Sequence, residues 1–252
     1  MTPQPNKQQR AMIKSGHLGG YIQGGDVATW CPQLWTWAVR EFGIRSVLDV
    51  GCGEGHSARF FRQLGCEVLG VDGCARAIEE SVIADRVRRH DFCDGPFLPG
   101  RRFDLVWSCE FVEHVDPEYV GNILQTFACA DKLLLLTHAF PGQEDGYHHV
   151  NCRPSSYWIK QIESLGLRCD VERSLEARKL TLGDYHSINH FARSGLAFVK
   201  NAETASPASS LAALWKAFRI NGGSRWSSAY RRQLRLRKLR KRLGAEQQSH
   251  PA

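Results

Sequence analysis

Residues 46–61 read SVLDVGCGEGHSARFF, and the fold is decided there. Val47, Leu48 and Val50 form a short apolar run that Asp49 interrupts, and Gly51, Gly53 and Gly55 follow at every second position. A run of that kind predicts a buried strand entering a glycine turn. From His56 to Leu64 the apolar residues Ala58, Phe61 and Leu64 recur at helical spacing, with Arg59 and Arg62 between them. The unit is strand, glycine loop, helix. Glycines at such a junction permit positive φ and let a ligand lie against the backbone where a Cβ would collide with it. The first N–H groups of the helix then face that ligand.

Asp49-Val50-Gly51-Cys52-Gly53-Glu54-Gly55 resembles motif I of the class I S-adenosylmethionine-dependent methyltransferases, an acidic residue, one further residue, then G-x-G-x-G. The competing dinucleotide fingerprint G-x-G-x-x-G/A requires Gly or Ala at position 56, where His56 stands. The resemblance covers about residues 30 to 200. It implies an enzyme of α/β class, with a doubly wound, Rossmann-like seven-stranded sheet, mostly parallel with an antiparallel final strand, and S-adenosyl-L-methionine as cofactor.

Within that resemblance, Glu67 to Val71 is a second strand ending at Asp72, whose two carboxylate oxygens suit two vicinal ribose hydroxyls. An N-cap for the helix starting near Cys74 is compatible with the same position. Asp91 and Phe92, after a short strand over 87–91, resemble motif III, where an acidic side chain meets the adenine amino group and an apolar neighbour covers the ring. A surface turn is the competing reading, because DFCDGPFLPG is rich in turn formers. Phe103 to Ser108 followed by CEFVEHV resembles motif IV, with Cys109 and Glu110 beside the methyl-donor end and Glu113 and His114 opening the next segment. The cofactor-binding set is therefore Asp49, Gly51, Cys52, Gly53, Gly55, Asp72, Asp91, Phe92 and Cys109.

Asp116-Pro117 starts a helix to about Ala130, and Lys132 to Thr137 is a fifth strand buried on both faces. The polar loop HAFPGQEDGYHHVNCR, residues 138–153, then lies at the carboxyl end of a central strand, where open α/β sheets bind their ligands. A neutral imidazole suits the removal of a proton from a hydroxyl acceptor near pH 7. His149 and His138 are the leading candidates for that base, followed by His114, which is either base or brace, and His148. Tyr147 and Asn151 of the loop, with Tyr21 and Asp26 of the leader, are the expected substrate contacts. No metal is expected: the loop lacks an i, i+4 ligand pair, and adjacent His148 and His149 would point apart if extended.

Three parts follow along the chain: a leader or lid over 1–29, the methyltransferase domain over 30–202, and a linker with a basic helical tail over 203–252. The leader segment SGHLGGYIQGGDVAT, 15–29, is expected to be an ordered loop or short helix, either folding over the site or trailing as a flexible lead-in. Trp30 to Phe42 is an amphipathic helix whose aromatics face the core rather than a nucleobase. Pro154 to Leu165 is a helix, Leu167 to Val171 a strand, residues 173–193 stay open, and Leu196 to Val199 supplies the last strand.

Apolar residues make up 42% of the chain, the mean hydropathy is -0.35, and no run approaches the ~18 apolar residues of a membrane span. The polar N-terminus lacks the apolar stretch of a secretion signal, so a cytoplasmic location is expected. Nine scattered cysteines without a C-x-x-C pair read as reduced thiols. The net charge of +7 is misleading until it is located: eleven Lys and Arg against Glu203 and Glu246 put a surplus of nine in the tail and leave the first 202 residues at −2. Two candidate tail helices, Leu211 to Phe218 and about Trp226 to Leu243, suit an anionic membrane surface, nucleic acid or an acidic protein.

The strand-4 loop reads Ser108-Cys109-Glu110-Phe111, without the N-P-P-Y type motif, so DNA adenine methylation is not expected. O-methylation of a sugar, glycan or small metabolite is the leading expectation. An RNA methyltransferase recruited by the tail and a cofactor-binding, non-catalytic partner subunit are the alternatives.

Overall fold

The computed structural model describes residues 11–182 and 189–200, and its first elements belong to the leader. β1 (Met12–Lys14) pairs antiparallel with β2 (Gly20–Ile22) around a tight turn at Gly16–Leu18. Within 15–29 the expected short helix is met by 3-10 turns at Gly16–Leu18 and Val27–Thr29, while the strand between them, which completes a small hairpin, was not expected. Strands of three residues flanked by glycines are too short to show a period of two in sequence.

α1 (Pro32–Phe42) starts on its proline and closes on Gly43 at φ 57. There follow β3 (Ser46–Val50), α2 (His56–Gln63), β4 (Glu67–Asp72), α3 (Ala75–Glu79), β5 (Val87–Arg89) and β6 (Phe103–Ser108). The second half adds α4 (Val120–Phe127), β7 (Ala130–Leu136), α5 (Ser155–Glu163), β8 (Leu167–Cys169), α6 (Val171–Thr181), α7 (His190–Ser194) and β9 (Leu196–Lys200).

Seven strands form one sheet in the order β5-β4-β3-β6-β7-β9-β8. β3, β4, β5, β6 and β7 run parallel, and β9 pairs antiparallel with both β7 and β8. That is the doubly wound, Rossmann-like sheet with an antiparallel final strand. The chain winds outward from β3 in one direction and from β6 in the other, so a crevice opens above their carboxyl ends, the position where such sheets hold ligands.

Several boundaries moved. The helix expected from Asp116 begins as a 3-10 turn at Pro117–Tyr119 before α4, with Asp116 accepting from the Glu118 N–H. The strand expected to reach Val171 stops at Cys169, because Asp170 accepts the Arg173 N–H and starts α6 there. The open stretch 173–193 holds the rest of α6 and the start of α7.

Leu133 to Leu136 of β7 are all fully buried, as four consecutive leucines in a central strand require. Trp35 of α1 is a core residue, with ring centroids 5.7 Å from Phe61 and 5.6 Å from Trp107, and Trp107 stacks on Phe191 of α7. Among the described residues no helix is long and apolar enough to cross a membrane. The linker and basic tail, with their two candidate helices, lie outside the described residues.

Candidate functional site

The glycine loop leaves β3 with Gly51 at φ 74, where a Cβ would stand 2.5 Å from the Phe111 ring. Only glycine lets Phe111 pass so close, and that contact brings the loop after β6 against the loop after β3. Asp72 at the tip of β4 ties the same region from the other side: it accepts the Gly53 N–H at 2.8 Å and the Cys74 N–H at 2.9 Å. Burial raises its pKa, and the backbone donors hold it back. Asp49, buried in β3, accepts from the Ser57 hydroxyl at 2.5 Å and so anchors the start of α2, while burial lifts its carboxyl to about 7.

Above these tips lies a cavity of about 400 Å³. Asp49, Gly51, Cys52, Gly53, Asp72 and Cys109 of the expected cofactor set line it. Tyr21, Asp26, Tyr147, His114 and His149 line it as well, so the leader, the loop after β6 and the histidine-rich loop close on one space.

Other expected residues lie elsewhere. His138 is buried and fully engaged: its Nδ1 donates to the Ala139 carbonyl at 3.3 Å and its Nε2 accepts from the Ser155 hydroxyl at 3.0 Å. Burial drives its pKa down to about 4, and its two bonds brace the loop against α5. Asn151, also buried, spans the Val112 carbonyl and the Arg153 guanidinium, which braces the loop. His148 takes φ 53 and offers its carbonyl to His114, and its side chain does not line the cavity. Gly55 caps α2 at φ 80 with Ile83 pressed on its Cα, outside the lining. Asp91 and Phe92 are not in the lining either, because the leader crosses there: His17 bonds the Asp91 carboxylate at 2.6 Å, Leu18 lies over Gly73, and Phe92 is buried against Phe111.

The sequence placed Glu110 beside the methyl-donor end, and it missed three other side chains that shape the site. Glu54, one of the undefined positions of the glycine stretch, accepts the Gly24 N–H at 2.9 Å and faces His56 Nε2 at 2.8 Å, pinning the leader down. His190, from the stretch left open, stands 3.0 Å from Glu110 and 3.5 Å from Asp26. Burial opposes its charge, but the two carboxylates prevail and raise its pKa to about 10. Glu110 is correspondingly lowered, His190 overriding burial, and Glu113 beside it is raised by burial and by the Glu110 charge. The sequence signal for Glu110 and Glu113 was their place in CEFVEHV; nothing local marked His190.

The residues present suit the cofactor that motif I implies. Asp72 lines the cavity, and the backbone at Gly53 faces open room, its nearest neighbour to an added Cβ being Tyr21 at 3.8 Å. The volume lies within the ~300–1,000 Å³ of small-ligand sites.

Comparison with known proteins agrees. A family model described as a methyltransferase domain matches residues 23–168. A probable chloroplastic tocopherol O-methyltransferase from Oryza sativa subsp. japonica is 30% identical over 155 residues, 49% of this chain and 42% of that protein. A ubiquinone biosynthesis O-methyltransferase from Cereibacter sphaeroides is 39% identical over 83 residues, 30% of this chain and 33% of that protein. The chain therefore spans less than half the length of either relative. The crystal structure of Streptomyces venezuelae DesVI superposes with a TM-score of 0.53 at 14% identity, covering 71% of this chain and 93% of that one, a likeness of fold.

Proposed function

The chain belongs to the class I S-adenosylmethionine-dependent methyltransferases, and on that premise we propose that it methylates an oxygen of a small molecule, a sugar or comparable hydroxyl-bearing metabolite. The observation that carries this reading is the shared cavity, in which the glycine loop and Asp72 meet Tyr147 and His149 of the histidine-rich loop. Names among the similar proteins point the same way: the rice and Cereibacter relatives are named as O-methyltransferases of small molecules. The nine scattered cysteines are in keeping with a reducing compartment, and a cytoplasmic location is part of the proposal.

When bound, S-adenosylmethionine supplies an already activated methyl group. Asp72 and the backbone of Gly51 to Gly53 would hold it, with Cys109 and Glu110 beside its reactive end. The work left to the protein is alignment and exclusion of water. Exclusion falls to the leader, which Glu54 and Glu80 fasten over the cavity through Gly24 and Tyr21. Deprotonation of the acceptor falls to His149 in preference to His114, because burial and the neighbouring imidazole hold His114 down at about 4, too weak a base for the task.

Calorimetric titration of S-adenosylmethionine into wild type and Asp72→Ala tests the premise, with saturable binding expected in the first and at least tenfold weaker binding in the second. Transfer of labelled methyl groups into pooled metabolites, glycans and RNA then tests the acceptor. Label confined to RNA would overturn the small-molecule reading.

A further inference from the structure

Just past β6 the chain places a carboxylate where burial leaves it without support. Glu113 is fully buried, and neither of its carboxylate oxygens meets a hydrogen-bond partner among the described residues. A desolvated, unpaired carboxylate is costly, and only a proton or a cation offsets that cost. Two imidazoles converge on it. One ring nitrogen from each of His114 and His149 and one Glu113 oxygen all lie within 4.8 Å of one another.

The two rings are oriented in the same manner. His149 Nδ1 stands 2.8 Å from the Gln143 carbonyl, and His114 Nδ1 stands 3.3 Å from the His148 carbonyl. A carbonyl only accepts, so Nδ1 carries the proton in each neutral ring and Nε2 keeps a lone pair. Metal-ligating histidines are held in this way, one ring N–H donated to a backbone carbonyl and the other nitrogen free for the ion. The ring centroids are 5.0 Å apart at 74°, which lets nitrogens from two separate loops reach a common point. Gly146 lies so close under the His149 ring that a Cβ there would overlap it, and His148 just before it takes a positive φ of 53. Backbone held in that way marks a loop shaped around the ring it presents.

We propose that Glu113, His114 and His149 bind one divalent first-row transition cation in the wall of the cavity. Two nitrogens and one oxygen suit Zn²⁺, Fe²⁺ or Co²⁺, whereas Mg²⁺ and Ca²⁺ take shells of oxygen. Bonds of about 2.1 Å set ligand atoms roughly 3.5 Å apart, so ligand atoms that lie within 4.8 Å of one another need only small shifts to take the ion. The ligands come from two loops, which is why the absence of an i, i+4 pair in the sequence did not reveal them.

Three protein ligands leave coordination positions open, as in catalytic rather than structural sites. On the methyltransferase reading above, an open position facing the cavity would receive the acceptor hydroxyl. A cation lowers the pKa of an oxygen bound to it toward neutrality. The hydroxyl proton then leaves to solvent and the O–H bonding pair stays on oxygen, ready for the methyl group. In this scheme the His149 imidazole is a ligand in place of the base proposed above, because its Nε2 lone pair is taken by the ion, and the favoured acceptor is a vicinal diol, whose two oxygens fill two adjacent positions.

The full-length protein, stripped with a chelator, is titrated with Co²⁺ by visible absorption and with Zn²⁺ by calorimetry. One equivalent with micromolar or tighter affinity is expected, weakened at least tenfold in His149→Ala and in Glu113→Gln. Glu113→Gln removes a buried charge without removing volume, so its metal-free form should melt at or above wild type while losing the Zn²⁺-induced rise in melting temperature. The described residues hold one other cluster of ligand type, His17, Asp91 and Cys93, and His17→Ala serves as its control. No saturable binding, or binding lost in His17→Ala and kept in His149→Ala, overturns the proposal. Binding of S-adenosylmethionine is measured on the same samples: cofactor without metal removes the metal site and leaves the methyltransferase reading standing, and metal without cofactor does the reverse.

Discussion

His190 stands between two carboxylates, 3.0 Å from Glu110 and 3.5 Å from Asp26. Its pKa rises from an ordinary 6.5 to about 10, despite burial, because both carboxylates favour the imidazolium. The stability it contributes is therefore fully present below about pH 6.5 and is lost as pH climbs through 10. Glu110 moves oppositely, from 4.5 to about 2, so its share is present above about pH 4.5 and lost as pH falls through 2. The pair is at full strength between those limits. His190→Gln should cost about 2 kcal/mol at pH 6, less than a wholly buried pair because about a fifth of each side chain reaches solvent. Urea denaturation across pH should also show that the variant loses the wild-type decline between pH 6.5 and 10. Parallel profiles would mean that the carboxylates do not hold the imidazolium.

The leader hairpin is an element without much core of its own, so its position depends on a few polar ties. Glu54 supplies the main one, nearly buried beneath the leader and accepting the Gly24 N–H with both oxygens at 2.9 and 3.0 Å. Tyr21 adds a second by donating to Glu80 at 2.9 Å. A charge-assisted bond as buried as the one at Glu54 contributes about 1.5–3 kcal/mol. Glu54→Ala should raise amide exchange over residues 12–25 at least tenfold while leaving β3, β6 and β7 protected. It should also weaken the cofactor, since the same carboxylate engages His56 at the head of α2. Unchanged exchange in the leader would show that packing by Leu18 and Tyr21 holds it without the carboxylate.

At the scale of the whole molecule, the positive charge sits after residue 203 while the preceding part is nearly neutral. We propose that the tail meets an anionic surface and that the cofactor site does not need it. A chain ending at Thr204 should bind S-adenosylmethionine with unchanged affinity. The full chain alone should bind anionic vesicles or RNA, with affinity falling steeply between 50 and 200 mM salt. Loss of cofactor binding on truncation would tie the tail to the site.

Much of this architecture was legible because it is written in neighbouring residues. SVLDVGCGEG carries its strand and its turn in one stretch, KLLLL announces a strand covered on both faces, and Asp72 follows the glycines at a strand tip. The acceptor side was not legible in that way. His138 and His149 belong to one polar loop of uniform composition, yet one is buried against Ser155 and the other faces the cavity. Asp91 matched a motif, but the leader's His17 occupies its carboxylate. Glu113, His114 and His149 meet only because β6 and β7 are adjacent in the sheet and their following loops turn toward each other. By itself the sequence determined the strands of the first half and the glycine loop, since backbone periodicity and turn chemistry are local, while the antiparallel last strand and the cofactor class followed from the resemblance to motif I. Which histidines face the cavity was decided by the tertiary structure alone, because convergence of distant loops depends on strand order and packing that no short stretch encodes.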